Sequence, residues 1–200
     1  MSLKSPNLRF AIFASGRGSN ALALMDAFKS GFIPAELALI VANIADAPII
    51  QKAQERGYKV AVITHKGLAR EQHEQLVLAK LTEANIDYIL LAGYMRILSP
   101  HFLEQFKGTV INIHPSLLPD FPGLHGAERQ WQAGRKVAGA TVHQVGSGVD
   151  TGPILLQGSI EVRGDEGADG LAQRILHEVE HVIYPRAVRL FIDRLIEQKN

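Results

Sequence analysis

The apolar residues of the first part of the chain fall into five short runs separated by longer amphipathic stretches. The runs lie at residues 8–14, 37–42, 60–63, 88–91 and 110–113. Their length and β-branched content are typical of buried strands. The stretches between them predict helices at about residues 21–30, 48–56, 68–84 and 100–106. Strands that alternate with helices predict an α/β fold with a parallel sheet and right-handed crossovers.

The last third of the chain departs from this alternation. Apolar segments at residues 140–145 and 154–160 flank the turn-forming sequence GSGVDTGP, which predicts a β-hairpin extension. A short helix is expected at about residues 127–133, and residues 167–198 have helical composition. We expect this terminal helix to break at Tyr184 and Pro185, because proline lacks a backbone N–H group.

Composition and charge exclude several classes of protein. Lys and Arg total 21 against 20 Asp and Glu, so no overall charge favours nucleic acid or a membrane surface. The absence of cysteine excludes disulfides, thiolate catalysis and cysteine-ligated zinc. No apolar run reaches the roughly 20 residues that span a bilayer, and the first residues lack a secretory-type apolar segment. We therefore expect a cytoplasmic protein.

A glycine-rich turn, SGRGSN at residues 15–20, joins the first predicted strand to the first helix. Backbone amides at the start of a helix, aided by the helix dipole, bind phosphate without requiring a basic side chain. The sequence also satisfies the dinucleotide pattern G-x-G-x-x-A, but the second strand is followed by Asn43 rather than by the acidic residue that binds ribose hydroxyls. A phosphate site is therefore preferred over a nicotinamide dinucleotide site.

The segment VINIHPSLLP at residues 110–119 places polar side chains at the end of a buried strand. Asn112 and His114 are two residues apart, so both project from the same face, and Pro115 ends the strand. Ligands of open α/β sheets bind at the carboxyl ends of the strands. The pair is therefore a candidate catalytic site, although His114 taken alone is more consistent with a structural histidine.

Five motifs in order resemble those of the phosphoribosylglycinamide formyltransferase family. They are SGRGSN at residues 15–20, MRIL at 95–98, NIHPSLLP at 112–119, FPGLHG at 121–126 and DTGPIL at 150–155. The resemblance implies a Rossmann-like, mostly parallel sheet flanked by helices, with a C-terminal β-hairpin extension and a terminal helix. It also implies one formyltransferase domain over residues 1–200, with a phosphate-binding half at about 1–107 and a catalytic and folate-binding half at about 108–200.

The resemblance further implies a reaction. In this family the amine of glycinamide ribonucleotide attacks the formyl carbon of 10-formyltetrahydrofolate, a cosubstrate of de novo purine biosynthesis. Asn112 and His114 would donate hydrogen bonds to the developing oxyanion, and Asp150 would assist proton movement. Taken alone, Asp150 is more typical of a turn aspartate between glycines. No metal and no tightly bound cofactor are expected.

The substrate contacts implied by the resemblance fall into two sets. Those expected to bind the nucleotide are Gly18, Ser19, Asn20, Pro115, His177 and Glu180. Those expected to bind folate are Arg70, Met95, Arg96, Ile97, Leu98, Asn112, Gly146, Ser147, Gly148, Val149 and Asp150. Arg70 and Arg96 are also consistent with solvated surface charges, which is the usual environment of an arginine.

The sequence HEVEH at residues 177–181 matches the H-E-x-x-H zinc signature. No third ligand is evident nearby, so we favour a substrate-binding segment over a zinc site. His125 and His143 remain without a role, and the apolar neighbours of His143 suggest a structural residue.

Two other functions compete with formyl transfer to a nucleotide. A formyltetrahydrofolate deformylase resembles the same catalytic core but uses water as acceptor, and it carries an additional N-terminal domain. A noncatalytic nucleotide-binding module would keep the glycine loop without grouping Asn112, His114 and Asp150. The expected partners are small molecules, with neither nucleic acid nor membrane, and a homodimer is left open.

Overall fold

The structure, a computed structural model, describes residues 8–198. Its strands are β1 (Arg9–Ala14), β2 (Glu36–Ala42), β3 (Val60–Val62), β4 (Tyr88–Leu91), β5 (Thr109–His114), β6 (Val137–Gln144) and β7 (Ile154–Glu161). Its α-helices are α1 (Ser19–Lys29), α2 (Pro48–Glu55), α3 (Arg70–Glu83), α4 (Pro100–Gln105), α5 (Gly126–Gln132), α6 (Gly167–Arg174) and α7 (His181–Glu197). A π-helical turn, Ile175–Glu180, joins α6 to α7.

The seven strands form one sheet in the order β3-β2-β1-β4-β5-β6-β7. Strands β1 to β5 are parallel, whereas β6 is antiparallel to β5 and β7 is antiparallel to β6. The predicted α/β fold and its C-terminal hairpin are therefore confirmed. Strand β6 begins three residues before the predicted run, at Val137.

Alternate residues of the central strands pack against helices on opposite faces of the sheet, as the strand period of two requires. Phe10 and Ile12 of β1 belong to one apolar cluster, which α1, α2 and α7 cover. Ala11 and Phe13 belong to a second cluster, which α3 and α4 cover. Both faces of β1 are thus buried, which explains its nearly continuous apolar sequence.

Tyr184 connects the terminal helix to the strands that carry the candidate site. Its side chain is fully buried, and its hydroxyl oxygen lies 3.0 Å from the carbonyl oxygens of Leu91 and Ile111. Burial raises the pKa of the Tyr184 hydroxyl well above its usual value, so the group stays a neutral donor. This contact holds the end of β4 and the middle of β5 to α7.

The predicted helix break at Tyr184 and Pro185 is wrong. Helix α7 continues through Pro185 to Glu197, and the irregular backbone lies one turn earlier, in the π-helical turn. Pro185 is buried in the second turn of α7, where its missing N–H group removes one hydrogen bond of the helix. Packing of the apolar face of α7 on the sheet outweighs that loss. Within residues 8–198, no helix combines the length and the apolar character needed to cross a bilayer.

Candidate active site

The carboxylate of Asp150 lies between two histidines at one edge of the sheet. Its Oδ2 atom is 3.3 Å from Nδ1 of His114, and its Oδ1 atom is 3.5 Å from Nε2 of His143. Both imidazoles are almost fully buried, and the Asp150 side chain is 11% exposed. One carboxylate therefore contacts two titratable rings in a largely desolvated position.

Strand pairing explains why these residues meet. His114 ends β5, and His143 on the antiparallel neighbour β6 pairs directly with Asn112. The Asn112 amide nitrogen lies 3.3 Å from Nε2 of His143. The expectation that His143 is structural stays a prediction, and in the structure its ring faces Asn112 and Asp150. The signal in the sequence was that His143 is a polar residue within an apolar strand. That it lies opposite Asn112 became evident only from the register of β5 and β6.

His114 has an acceptor at each ring nitrogen. Its Nε2 atom lies 2.9 Å from the carbonyl oxygen of Phe121, and its Nδ1 atom faces Asp150. A side chain at Gly126 would place a Cβ only 3.0 Å from Nε2 of His114, so the absence of a side chain lets α5 begin against the ring. The two acceptors fix the orientation of the ring.

The surroundings of Asp150 favour its ionised form. Burial raises the pKa of Asp150, but hydrogen bonds from His143 and the Gly123 N–H, together with the charges of both histidines, outweigh burial and lower the pKa below its ordinary value. The Gly123 N–H donates to Oδ2 across 2.8 Å. Asp150 also has a positive φ of 54°, a conformation that aspartate tolerates better than most residues. The carboxylate is therefore ionised at neutral pH.

A cavity of about 430 Å³ opens beside Asp150 and Asn112. Its lining residues are Leu91, Tyr94, Met95, Arg96, Ile97, Leu98, Asn112, Leu124, His143, Val145, Gly146, Ser147, Gly148, Val149 and Asp150. Every residue of the predicted folate set lines this cavity except Arg70. The sequence analysis did not assign Leu91, Tyr94 or His143 to this cavity, whereas Val145 begins the loop that the resemblance assigns to folate and Leu124 lies within the FPGLHG motif.

The walls of the cavity combine apolar side chains with few polar groups. Met95, Ile97 and Val149 are more than half exposed, so apolar surface lies open around the cavity. Burial raises the pKa of Tyr94 to about 12, which keeps its hydroxyl neutral. Pockets of this kind bind flat organic ligands, with the polar groups setting the orientation.

Arg70 lies outside the cavity but contacts the segment that forms one wall. Its guanidinium donates to the carbonyl oxygen of Ile97 across 2.6 Å, and its Nε lies 3.8 Å from the Glu74 carboxylate. The Arg70 side chain is 44% exposed. Arg70 therefore supports the backbone of the cavity wall.

The glycine-rich turn adopts the geometry of an anion site at the start of α1. Helix α1 begins at Ser19, and Gly18 precedes it in the left-handed conformation with φ 69°. A Cβ at Gly18 would lie 2.5 Å from Ile49, so only glycine fits here. No side chain caps the helix, so backbone N–H groups are available for an anion.

The Asn20 side chain is directed to another part of the protein. Its amide nitrogen donates to the Glu180 carboxylate across 2.5 Å, and its Oδ1 atom is buried without a hydrogen-bond partner. Glu180 is 7% exposed, and burial raises its pKa, although the Asn20 amide acts in the opposite direction. The π-helical turn that ends at Glu180 thus connects the terminal helices to the start of α1, a position typical of functional sites.

The two histidines of the HEVEH segment lie against each other on the π-helical turn and the start of α7. Their rings contact each other edge to face, with centroids 5.0 Å apart. In the described part of the chain, no group of three or more His, Cys, Asp or Glu side chains is placed to hold a metal ion. His177 is exposed on the π-helical turn that carries Glu180.

Replacing Glu180 with glutamine is expected to stabilise the protein above about pH 4.3. An unfolded glutamate ionises near that pH, and because the folded pKa is raised, folding becomes less favourable as the pH increases toward the folded value. Glutamine retains an acceptor for Asn20 without this penalty. At pH 8 the Tm of Glu180→Gln should exceed that of the wild type, by about 2–4 °C for each kcal/mol gained in the free energy of unfolding. At pH 4 the two Tm values should match.

The matched control is Glu178→Gln on the same turn. Arg174 donates hydrogen bonds to exposed Glu178 and lowers its pKa, so this substitution should not raise the Tm at pH 8. Thermal unfolding followed by circular dichroism at both pH values measures the difference. A lower Tm for Glu180→Gln at pH 8 would contradict the expected cost of ionising Glu180.

A larger cavity of about 510 Å³ lies at the opposite edge of the sheet. It is lined by the first residues of β4 and β5, Tyr88 and Thr109, and by the ends of α3 and α4. It contains none of the predicted site residues. The site is therefore assigned by its chemistry, not by cavity size.

Comparison with known proteins places this α/β sheet, and the cavity beside its Asn, two His and Asp side chains, in a family. Residues 8–188 match the formyl transferase family model, and the chain belongs to this family. The chain is similar to phosphoribosylglycinamide formyltransferase of Bacillus subtilis, with 38% identity over 182 residues covering 90% of this chain and 93% of the relative. Both the fold and the family predicted from the sequence are confirmed.

The chain is also similar to part of a larger protein and to a solved structure. The trifunctional purine biosynthetic protein adenosine-3 of Drosophila melanogaster is 41% identical over 188 residues, covering 92% of this chain but only 14% of that protein. The chain therefore spans about one seventh of this relative. The structure of phosphoribosylglycinamide formyltransferase from Brucella melitensis has a TM-score of 0.88 and 42% identity, covering 94% of this chain and 96% of that one.

Proposed function

We propose that this protein transfers the formyl group of 10-formyltetrahydrofolate to the amine of glycinamide ribonucleotide in purine biosynthesis. The observation that carries the proposal is the Asp150 carboxylate between His114 and His143, beside a cavity that Asn112 also lines. The named relatives with phosphoribosylglycinamide formyltransferase activity support the choice of acceptor. Both substrates are small molecules, and we place the reaction in the cytoplasm.

The reaction requires one carbon–nitrogen bond to form and another to break. The substrate amine attacks the formyl carbon, and the oxygen of the formyl group becomes an oxyanion in a tetrahedral intermediate. The amine then loses a proton, and the folate nitrogen gains one as it leaves. The side chains must therefore supply hydrogen-bond donors to the oxyanion and a path for one proton.

Asn112 and His114 provide the donors. The Asn112 amide lines the cavity, and its nitrogen lies 3.3 Å from Nε2 of His143, a long contact that leaves the amide available to a substrate oxygen. His114 is held as a donor by the Phe121 carbonyl and Asp150. In the complex, a shift of the ring from one of these acceptors to the oxyanion would present an N–H group to the substrate.

Asp150 stabilises the positive charge of a protonated histidine and orients both rings. Its lowered pKa means that it does not take the proton permanently at neutral pH. The proton would instead move through a histidine that the carboxylate holds in place. This division between a titrating ring and an orienting carboxylate is common in acyl-transfer sites.

The apolar cavity is the proposed folate site. A volume of about 430 Å³ lies within the range for small-molecule pockets, and the segment from Tyr94 to Leu98 supplies most of one apolar wall. The glycine-rich segment 146–148 on the other side brings backbone groups close to the ligand. 10-Formyltetrahydrofolate would bind here as a cosubstrate that leaves after each turnover.

The nucleotide is proposed to extend from the start of α1 to the catalytic residues. Backbone N–H groups at Gly18, Ser19 and Asn20 would bind its phosphate. Glu180 and His177 on the π-helical turn would contact its sugar or glycinamide group, and Pro115 follows His114 directly. In this arrangement the half of the chain before residue 108 holds the phosphate, and the later half holds the reacting groups.

The proposal is tested with purified, EDTA-treated protein and 10-formyltetrahydrofolate, with and without glycinamide ribonucleotide. Absorbance follows the folate product, and mass spectrometry identifies the formylated nucleotide. Equal amounts of both products, formed only when the nucleotide is present, are expected. Folate release without nucleotide would indicate a deformylase instead, and no product in either reaction would favour a noncatalytic module.

A further inference from the structure

Ser15 links the glycine-rich turn to the wall of the proposed folate cavity. Its backbone N–H donates to the carbonyl oxygen of Gly93 across 3.1 Å, and its hydroxyl oxygen accepts from the Met95 N–H across 2.8 Å. The hydroxyl proton is donated to Oδ1 of Asn43 across 2.6 Å. Ser15 is 4% exposed and Asn43 is 1% exposed. Three hydrogen bonds of one buried residue thus join the ends of β1, β2 and β4.

Asn43 orients the hydroxyl group of Ser15. Its backbone carbonyl oxygen lies 2.9 Å from Nδ1 of His65, so the residue is also held from the side of β3. A hydroxyl group has one proton, and donation of that proton to Asn43 leaves the lone pairs of Ser15 for the Met95 N–H. The position of Met95 therefore depends on both Ser15 and Asn43.

The two segments that Ser15 joins are those proposed to hold the two substrates. Residues 16–20 follow Ser15 directly and form the proposed phosphate site, whereas residues 94–98 form one wall of the proposed folate cavity. We propose that Ser15 is a positioning residue that sets the distance between these segments, and hence the alignment of the substrate amine with the formyl carbon. This inference rests on the proposed function.

The remaining contacts of the cavity wall limit the damage that loss of Ser15 would cause. Arg70 binds the carbonyl oxygen of Ile97, and the buried Glu74 carboxylate accepts from the Ser99 N–H across 2.9 Å. These contacts hold the far end of the segment independently of Ser15. Removing the hydroxyl should therefore shift the Met95 end without unfolding the wall, and a misplacement of about 1 Å can lower a rate by about 100-fold.

The test is Ser15→Ala, with steady-state kinetics for both substrates and dissociation constants measured by calorimetry. We expect kcat to fall by about 10- to 100-fold while the dissociation constant of each substrate changes by less than about threefold. Ser15→Thr, which restores a hydroxyl, should retain most of the wild-type kcat. The matched control is Ser30→Ala at the end of α1, where the exposed hydroxyl donates only to Ala27; it should be fully active.

A second variant covers the case in which Ser15→Ala folds poorly. Asn43→Ala leaves Ser15 in place but removes the acceptor that orients its hydroxyl, and it should give a smaller loss of kcat with unchanged substrate affinities. A kcat within twofold of the wild type in Ser15→Ala would overturn the proposal. So would equal losses of kcat and of both affinities, or a Ser15→Thr variant as impaired as the alanine. An inactive wild-type protein would instead refute the proposed function.

Discussion

Replacing Asp150 with asparagine is expected to lower kcat by a factor between about 10² and 10⁴, the usual effect of removing a group that takes part in proton transfer. Asparagine has nearly the same shape and can still accept the Gly123 N–H. It lacks the negative charge that would stabilise a histidine carrying the transferred proton, and His114 and His143 lie 3.3 and 3.5 Å from the carboxylate. The chemical step should therefore slow, while the start of α1, which is proposed to bind the nucleotide phosphate, is unaffected.

The measurement separates turnover from binding. Calorimetry should show a nucleotide dissociation constant within about threefold of the wild type, and single-turnover kinetics should show the loss of rate. Asp165→Asn, an exposed aspartate between β7 and α6, is the matched control and should be fully active. Unchanged turnover in Asp150→Asn would remove Asp150 from the mechanism.

The lowered pKa of Asp150, which hydrogen bonds from His143 and Gly123 bring about against the effect of burial, also has a consequence for stability. A depressed folded pKa contributes stability above the unfolded value of about 3.9, and this contribution is lost as the pH falls through the folded pKa. Asp150→Asn should thus lower the Tm at pH 7 more than at pH 3. Because the pKa of Asp150 is lowered, the carboxylate stays ionised between pH 7 and pH 5. Any loss of wild-type activity in this range is therefore not expected to come from protonation of Asp150.

Replacing Asn112 with alanine is expected to lower kcat by about 10²- to 10³-fold, the usual effect of losing one oxyanion donor. The amide lines the cavity, and among residues 8–198 its one side-chain hydrogen-bond contact is the long one with His143, so its removal should break no strong hydrogen bond there. The expected effect is therefore on the transition state, with little change in Tm or in the affinity for either substrate.

Thermal unfolding and single-turnover rates distinguish these effects. Gln51→Ala, which removes an exposed amide on α2, is the control and should leave kcat unchanged. A fall in Tm of Asn112→Ala that accounts for the lost activity would show that Asn112 acts structurally, and a kcat within threefold of the wild type would exclude it as the oxyanion donor.

Local sequence predicted most of the fold because the central strands are buried on both faces. Phe10, Ile12 and Phe13 must all be apolar in such a strand, and the following glycines end it within a few residues. The same reasoning failed at Pro185, where local propensity predicts a break. There, burial of the surrounding apolar face against the sheet maintained the helix, an effect that no local pattern contains.

The candidate site was predictable in part for a similar reason. Asn112 and His114 are two residues apart on one strand, so their common face follows from the strand period alone. The cavity-lining segment from Met95 to Leu98 followed from its resemblance to a known motif. Neither route indicated His143 or Tyr94, whose places in the site depend on strand register and on the folding of a loop over a distant strand end.

The sequence by itself determined the α/β class, the glycine-rich turn and the polar end of β5, because these depend on the periodicity and conformational limits of adjacent residues. The tertiary structure alone decided that Asp150 lies between His114 and His143, and that Ser15 contacts both Asn43 and Met95. These contacts join residues separated by 7 to 80 positions along the chain. They exist because the strand order brings distant strand ends together at one edge, where buried polar groups must find partners.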